Sequence, residues 1–308
     1  MDYILLVVGF VLLIKGADFF VDGSASVAKK LRVPTMIIGM TIVAMGTSAP
    51  ECAVSIAASV KGSNTMAISN VIGSNIFNLM IVCGACALFT PLAVKASTLK
   101  QEFPLSILAA ILLLGMGYLG MSLNRIEGVI LLVIFAGFLL WMVWEAKKAR
   151  NNTEVEEIET LSGWKCLIYI IGGIIAIIIG GDLVVDSASA IASDFGLSQT
   201  LIGLTIVAFG TSLPELVTSL VAAKKGETDM ALGNVIGSNI FNIWLVLGVA
   251  AAVSPMTMLN ENLIDDVILI AVSVLVWIFA WTKKKLNRVH GIIMIAIYIA
   301  YVVYICMR

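Results

Sequence analysis

Long apolar runs alternate with short polar breaks along this chain of 308 residues. Ten runs stand out, at 3–21, 34–60, 66–90, 103–121, 127–146, 165–185, 199–223, 230–253, 264–282 and 290–307. Most hold about 20 apolar residues, enough for a helix to cross a ~30 Å hydrocarbon core. Backbone groups in lipid must be bonded within the structure, and runs this long suit helices rather than barrel strands. The pattern therefore predicts an all-α integral membrane protein with ten transmembrane helices.

Polar residues inside the runs recur with a fixed spacing. Gly39–Glu51 reads G-M-T-I-V-A-M-G-T-S-A-P-E, and Gly203–Glu215 reads G-L-T-I-V-A-F-G-T-S-L-P-E. The offset, 215 minus 51, is 164 residues, and it also carries Ser69–Asn78 onto Gly233–Asn242. Gly16, Asp18, Val21 and Asp22 match Gly180, Asp182, Val185 and Asp186 at that offset. One repeat unit holds five spans. Five is odd, so the second copy enters the membrane from the opposite side, giving two inverted-topology five-helix repeats. In such repeats the substrate sites lie near the midplane between the halves. The division is 1–146 for the first repeat (motif 39–78), 147–164 for a linker and 165–308 for the second repeat (motif 203–242). The linker carries Glu154, Glu156, Glu157 and Glu159 and is too short for a regulatory domain.

Charge sets the orientation. With ten spans, fifteen of the nineteen Lys and Arg fall on one side, and only Lys61, Arg125 and Arg308 on the other. The positive-inside rule makes the first side cytoplasmic. The linker is then cytoplasmic and both termini face outward, in a multi-pass protein of the cell membrane. Composition narrows the class further. The chain is 60% hydrophobic and 13% charged, about half the charge of a soluble domain. A net charge of −1 gives no case for nucleic acid. The five Cys form no secreted disulfide pattern, and Met-Asp-Tyr lacks a basic leader, so the first span is read as retained.

Each repeated motif sets one carboxylate in hydrocarbon, which by default marks a functional site. Pro50 and Pro214 lack an N–H and free carbonyls about one turn upstream, where Gly46 and Gly210 relax the backbone. Each motif thus offers carbonyls, two hydroxyls and one carboxylate, all oxygen donors. Hard cations such as Ca²⁺ take about six to eight oxygens. Glu51 and Glu215 together balance one Ca²⁺. No pair of His or Cys in the motifs suits a softer metal. Ser74 and Asn78 share a helix face, as do Ser238 and Asn242, and could complete a cluster of four segments.

These paired G-T-S-x-P-E and G-S-N-I-F-N motifs resemble the two alpha-repeats of the sodium/calcium exchanger family, in the cation/calcium exchanger superfamily. The resemblance covers nearly the whole chain and is closest to prokaryotic-type members without a large cytosolic loop. It implies four clustered ion sites and alternating access, in which the first and sixth helices slide over the other eight. It further implies a Ca²⁺ site of Glu51 and Glu215 with the Thr47 and Thr211 carbonyls. Na⁺ sites would add Ser48, Ser212, Ser74 and Ser238 with the Ala44 and Ala208 carbonyls, and Asn78 and Asn242 would take the middle position. Some microbial members, and potassium-dependent relatives at comparable positions, carry Asp where this chain has Asn242. Two acids alone argue against potassium coupling. Three Na⁺ on them leave one positive charge and Ca²⁺ leaves none, so the implied 3:1 exchange is electrogenic. The transported ions are Na⁺ and Ca²⁺, with no cofactor, no enzyme activity and a single chain as the working unit.

Competing readings are a Ca²⁺/H⁺ antiporter on the same scaffold and, in another class, a passive channel or membrane hydrolase. One loop histidine supplies no nucleophile–base constellation for hydrolysis. A structural ion pair between Lys15 and a motif glutamate is the plain alternative for the acids. Cys83, Cys86 and Cys52 read as packing residues and His290 as a solvated helix start. Asp18, Asp22, Asp182 and Asp186 read as lining an access path or capping helices. Asn151-Asn152-Thr153 fits a glycosylation acceptor on the wrong side of the membrane for use.

Overall fold

The computed structural model describes residues 1–60, 64–151, 160–196 and 208–307. The elements are α1 (Asp2–Leu31), α2 (Thr35–Thr47), α3 (Ala49–Ser59), α4 (Met66–Phe89), β1 (Leu92–Ala93), α5 (Ala96–Gly120), β2 (Ser122–Leu123), α6 (Arg125–Asn151), α7 (Gly163–Asp194), α8 (Leu213–Lys224), α9 (Thr228–Val253), β3 (Met256–Thr257), α10 (Asn260–Trp281), β4 (Lys285–Leu286) and α11 (Arg288–Met307). Among the described residues eight helices are long and apolar enough to cross a membrane, and α2 with α3, bent by 50° at their junction, makes a ninth if the pair is one span. The chain is an all-α membrane protein. The first half of the span expected at 199–223 lies outside the described residues, which resume with a turn at Ala208–Gly210 before α8.

Two spans run longer than the hydropathy predicts. The expected 3–21 is part of a helix of 30 residues, and 165–185 part of one of 32. Ser24–Leu31 contains no helix breaker, so α1 continues until Arg32 turns left-handed (φ 57°) ahead of Pro34, which disfavours helix at the residue before it. Lys29 and Lys30 are therefore helical, not in a loop. At the start of α6, the Asn124 carbonyl oxygen Oδ1 accepts from the Ile126 and Glu127 N–H groups, and Glu127 Oε2 accepts from the Asn124 N–H. This reciprocal cap satisfies donors that a helix N-terminus otherwise leaves unpaired.

The halves pack as inverted copies. A Cβ added at Gly9 would lie 3.0 Å from the Gly180 carbonyl oxygen, and one at Gly16 2.9 Å from that of Gly173. Gly9 and Gly16 are the repeat mates of Gly173 and Gly180, so α1 and α7 run antiparallel about a pseudo-two-fold axis. β1 pairs antiparallel with β4 and β2 with β3, so each half contributes one strand to each ribbon. The two ribbons put 92–93 beside 285–286 and 122–123 beside 256–257, matching the sides that an odd number of spans per repeat requires. Beyond the fourth span of each half the register shifts by one. Gly84 meets Gly291 and Gly248 meets Gly128, which are symmetric contacts only if 128 and 291 are mates, 163 apart.

α4 and α9 form the centre. Buried residues make up 78% and 83% of their apolar windows, against 17–39% for the remaining long helices, whose outer faces carry exposed Val, Ile and Leu suited to lipid. Phe77 packs edge-on against Tyr298, and its mate Phe241 against Phe135.

Lys225, in the turn after α8, ties the second half to α1. Its Nζ lies 2.7 Å from Asp22 Oδ1, 3.0 Å from the Asp18 carbonyl oxygen and 3.4 Å from Asp18 Oδ1. Asp18 and Asp22 are thus interhelical partners of a lysine rather than helix caps. The groups are partly exposed, so the tie contributes about 1 kcal/mol or less and is screened by salt. Lys225→Met should lower the detergent-phase melting temperature by about 2–4 °C in low salt, and the difference should vanish in 1 M KCl. Lys15 lies 3.8 Å from Asp18 Oδ2 and is exposed, whereas Glu51 is fully buried, so no Lys15–Glu51 bridge exists. His290 is not simply solvated: its ring stacks on Phe279 at 4.6 Å and accepts from the Asn287 N–H. Cys83 and Cys86 are buried and free. Asn152 and Thr153 of the glycosylation sequence lie outside the described residues.

Candidate cation site

The serine of each motif departs from helical geometry immediately before a helix. Ser48 (φ −81°, ψ 8°) separates α2 from α3, and Ser212 (φ −96°, ψ 7°) precedes α8. Neither conformation is helical, and both fall in the bridge region where active-site residues often sit. Pro50 and Pro214 follow in the first turns of α3 and α8, where a missing N–H costs least. Glu51 and Glu215 occupy those same first turns, so each carboxylate lies at the positive end of a half-helix.

Both glutamates are fully buried. Ser212 Oγ donates to Glu51 Oε1 at 3.1 Å, and Ser48 Oγ donates to Glu215 Oε1 at 2.9 Å. Each acid is therefore held by the motif serine of the other half. Ser74 Oγ approaches Glu51 Oε1 at 3.3 Å and Ser212 Oγ at 2.9 Å. Two hydroxyls carry two hydrogens, so they satisfy two of these three contacts at a time. Asn242 Nδ2 reaches Ser74 Oγ at 3.4 Å, joining α9 to the same web.

The remaining oxygens are the chemically informative ones. Glu51 Oε2, Glu215 Oε2, Asn78 Oδ1 and Asn242 Oδ1 are buried and have no hydrogen-bond partner. They form two symmetric pairs. Buried carboxylates and carbonyls without donors are expensive and are ordinarily matched by a partner or a cation. Asn78 and Asn242 also begin π-helical turns, Asn78–Val82 and Asn242–Leu247, a local widening frequent at functional sites. Among the described residues no three His, Cys, Asp or Glu side chains gather around a point, so a cation here would rely on neutral oxygens beside the two acids.

Other candidates are placed as follows. Thr47 is buried, and its hydroxyl donates to Asn234 Oδ1 at 3.0 Å. Thr211 Oγ1 is buried without a partner, and Ser238 is fully buried. The Ala44 carbonyl is not free of hydrogen bonds. It accepts from the Ser48 N–H at 3.0 Å and lies 3.4 Å from Thr47 Oγ1, because the helix keeps its last bond up to the break. Ala208 begins the turn before Thr211.

Sequence reasoning passed over the asparagines that frame this cluster. Asn75 and Asn239 are mates at the 164 offset and bond to each other across the axis. Asn70 donates to Ser55 Oγ at 3.2 Å, and its mate Asn234 donates to Ser219 Oγ, the mate of Ser55, at 2.9 Å. Their identity in both copies was the available signal.

The sequence profile of the sodium/calcium exchanger protein family matches residues 1–144 and 165–307. A putative antiporter, CaxA, of Alkalimonas amylolytica is 43% identical over 97% of this chain and 96% of its own length. The sodium/calcium exchanger MaX1 of Methanosarcina acetivorans is 31% identical over 98% of this chain and 97% of its own. A solved structure of the sodium-calcium exchanger NCX_Mj, soaked without Na⁺ and Ca²⁺, superposes with a TM-score of 0.86 at 34% identity, covering 99% of this chain and 98% of that one. With its helix broken at Ser48, its pair of buried acids and a likeness that runs end to end, the chain belongs to the sodium/calcium exchanger family, whose members are membrane antiporters and not enzymes.

Proposed function

We propose that this protein exchanges Na⁺ for Ca²⁺ across the cell membrane by alternating access, with three Na⁺ against one Ca²⁺. The reading rests above all on the four unpartnered buried oxygens of Glu51, Glu215, Asn78 and Asn242. Two ionised carboxylates neutralise one Ca²⁺ and leave one positive charge on three Na⁺. The Na⁺-loaded state then carries the charge that moves through the membrane field. The hydroxyls of Ser48, Ser74 and Ser212 and the backbone of the two motifs supply the further oxygens that hard cations need, about six to eight for Ca²⁺. Ser238 and Thr211 belong to the same set by position. The glycine contacts between α1 and α7 leave a seam of backbone against backbone, suited to those two helices moving together over the rest of the molecule. In this reading the lysine-rich side is cytoplasmic, the linker lies there, both termini face out, and one chain suffices.

The test is ⁴⁵Ca²⁺ uptake into proteoliposomes with Na⁺, K⁺ or H⁺ gradients imposed in turn. Outward Na⁺ alone should drive uptake. Uptake driven by H⁺ without Na⁺ would establish the Ca²⁺/H⁺ reading, and flux independent of any counter-ion would establish a channel. Three Na⁺ leaving for one Ca²⁺ entering exports one positive charge, so an inside-positive potential should favour accumulation. The effect is about 2.3 kcal/mol per 100 mV, or roughly 50-fold in the accumulation ratio at equilibrium.

A further inference from the structure

We infer that Asn75 and Asn239 are positioning residues that fix which end of the Asn78 and Asn242 amides faces the transported ion. The inference rests on the exchange reading above. Four asparagines, two from each half, form one symmetric hydrogen-bonded group on the pseudo-two-fold axis, and all four are essentially inaccessible to solvent. Asn75 Nδ2 donates to the Asn239 main-chain carbonyl at 3.1 Å, and Asn239 Nδ2 donates to the Asn75 carbonyl at 3.2 Å. Asn242 Nδ2 donates to Asn75 Oδ1 at 3.0 Å, and Asn78 Nδ2 donates to Asn239 Oδ1 at 3.2 Å.

The polarity of the group follows from its two main-chain ends. A carbonyl oxygen only accepts, so the Asn75 atom that meets the Asn239 carbonyl must be its NH₂ group. The other end of Asn75 is then its oxygen, and Asn242 must meet that oxygen with its own NH₂. The second hydrogen of that NH₂ points to Ser74 Oγ, 3.4 Å away. What Asn242 has left is Oδ1, and that atom is buried without a partner. The mirror chain from the Asn75 carbonyl through Asn239 leaves Asn78 Oδ1 in the same condition. An amide is nearly isosteric when flipped, so packing alone does not choose its orientation. A flipped Asn242 or Asn78 would turn an N–H dipole toward a cation and withdraw one oxygen ligand. Asn75 Oδ1 and Asn239 Oδ1 each already accept from a neighbouring amide, unlike the unpartnered Oδ1 atoms of Asn78 and Asn242.

A carboxylate has no wrong end. Asp at position 242 would present oxygen whatever its neighbour does, so the need for Asn75 should disappear there. The experiment is Ca²⁺ binding to the purified full-length protein in detergent, by equilibrium ⁴⁵Ca²⁺ titration, with melting temperature measured in parallel. Asn75→Leu should weaken Ca²⁺ binding at least tenfold against the wild type. In the Asn242→Asp background the same substitution should change affinity less than threefold. Asn239→Leu, tested with Asn78→Asp, repeats the measurement on the opposite arm and serves if the first variant does not fold. Equal losses in both backgrounds, or no loss in either, would overturn the positioning role and leave the exchange reading intact. A wild-type protein that binds no Ca²⁺ would overturn the exchange reading, and the positioning role with it.

Discussion

Glu51→Gln should abolish Na⁺-driven Ca²⁺ uptake, and Glu215→Gln should do the same. Glutamine keeps the shape of the side chain and an oxygen for the serine hydroxyls that hold Oε1. What it removes is one negative charge and one free oxygen at a fully buried position. At an effective dielectric of about 20, a carboxylate in contact with Ca²⁺ contributes well over 5 kcal/mol of attraction before desolvation is subtracted. A loss of at least about a thousandfold in Ca²⁺ affinity is therefore expected from either substitution. The two should be close to equal, because each acid sits in the first turn of its half-helix and accepts from the serine of the opposite half. Uptake above a tenth of the wild-type rate in either variant would remove the acids from the ion path.

A large effect on folding should come from Gly39→Val and Gly233→Val. A Cβ at Gly39 would lie 2.6 Å from the Met230 carbonyl oxygen and 3.1 Å from Gly233 Cα, and one at Gly233 would lie 2.6 Å from the Met36 carbonyl oxygen. The obstacles are backbone, so no side chain can turn aside. α2 and α9 would have to separate, in a bilayer where helix association depends on such close contact of small residues. The loss should be about 3 kcal/mol or more, at the upper end for overpacking. Separation would also pull Thr47 from Asn234 and disturb the break at Ser48. Gly137→Val is the control, because nothing lies within 4 Å of its added Cβ. It should stay within about 1 kcal/mol of wild type, the helix penalty of a β-branched residue included. Thermal unfolding in detergent, followed by size exclusion, distinguishes the three.

Much of this was legible in the sequence because membrane helices and repeats write themselves in long signals. Twenty apolar residues bounded by lysines mark a span, and a duplicated glutamate beside a duplicated proline marks a broken helix. The hydroxyls of Ser48, Ser74 and Ser212 follow from the same duplication. Two kinds of information were out of reach. Span ends depend on where the helix stops and not where apolarity stops, so Ser24–Leu31 went unread as helix. Partner choice within a polar cluster depends on atoms facing each other across the axis. Hence Asn75 and Asn239, one turn from residues that were named, gave no sign that they spend their amides on main-chain carbonyls. The single 164 offset likewise hid the shift to 163, since lipid-facing positions such as those around Gly128 tolerate many residues and blur the alignment.

Because Ser48 leans on Glu215 and Ser212 on Glu51, the site they form is a joint, with each half braced by the other. On the exchange reading proposed above, an ion lodged there would act as mortar, held only while both halves stand together. By mass action, ion concentration and cohesion of the two halves are then one linked equilibrium, and a saturating ion at a hundred times its Kd would strengthen the docking by about 2.7 kcal/mol.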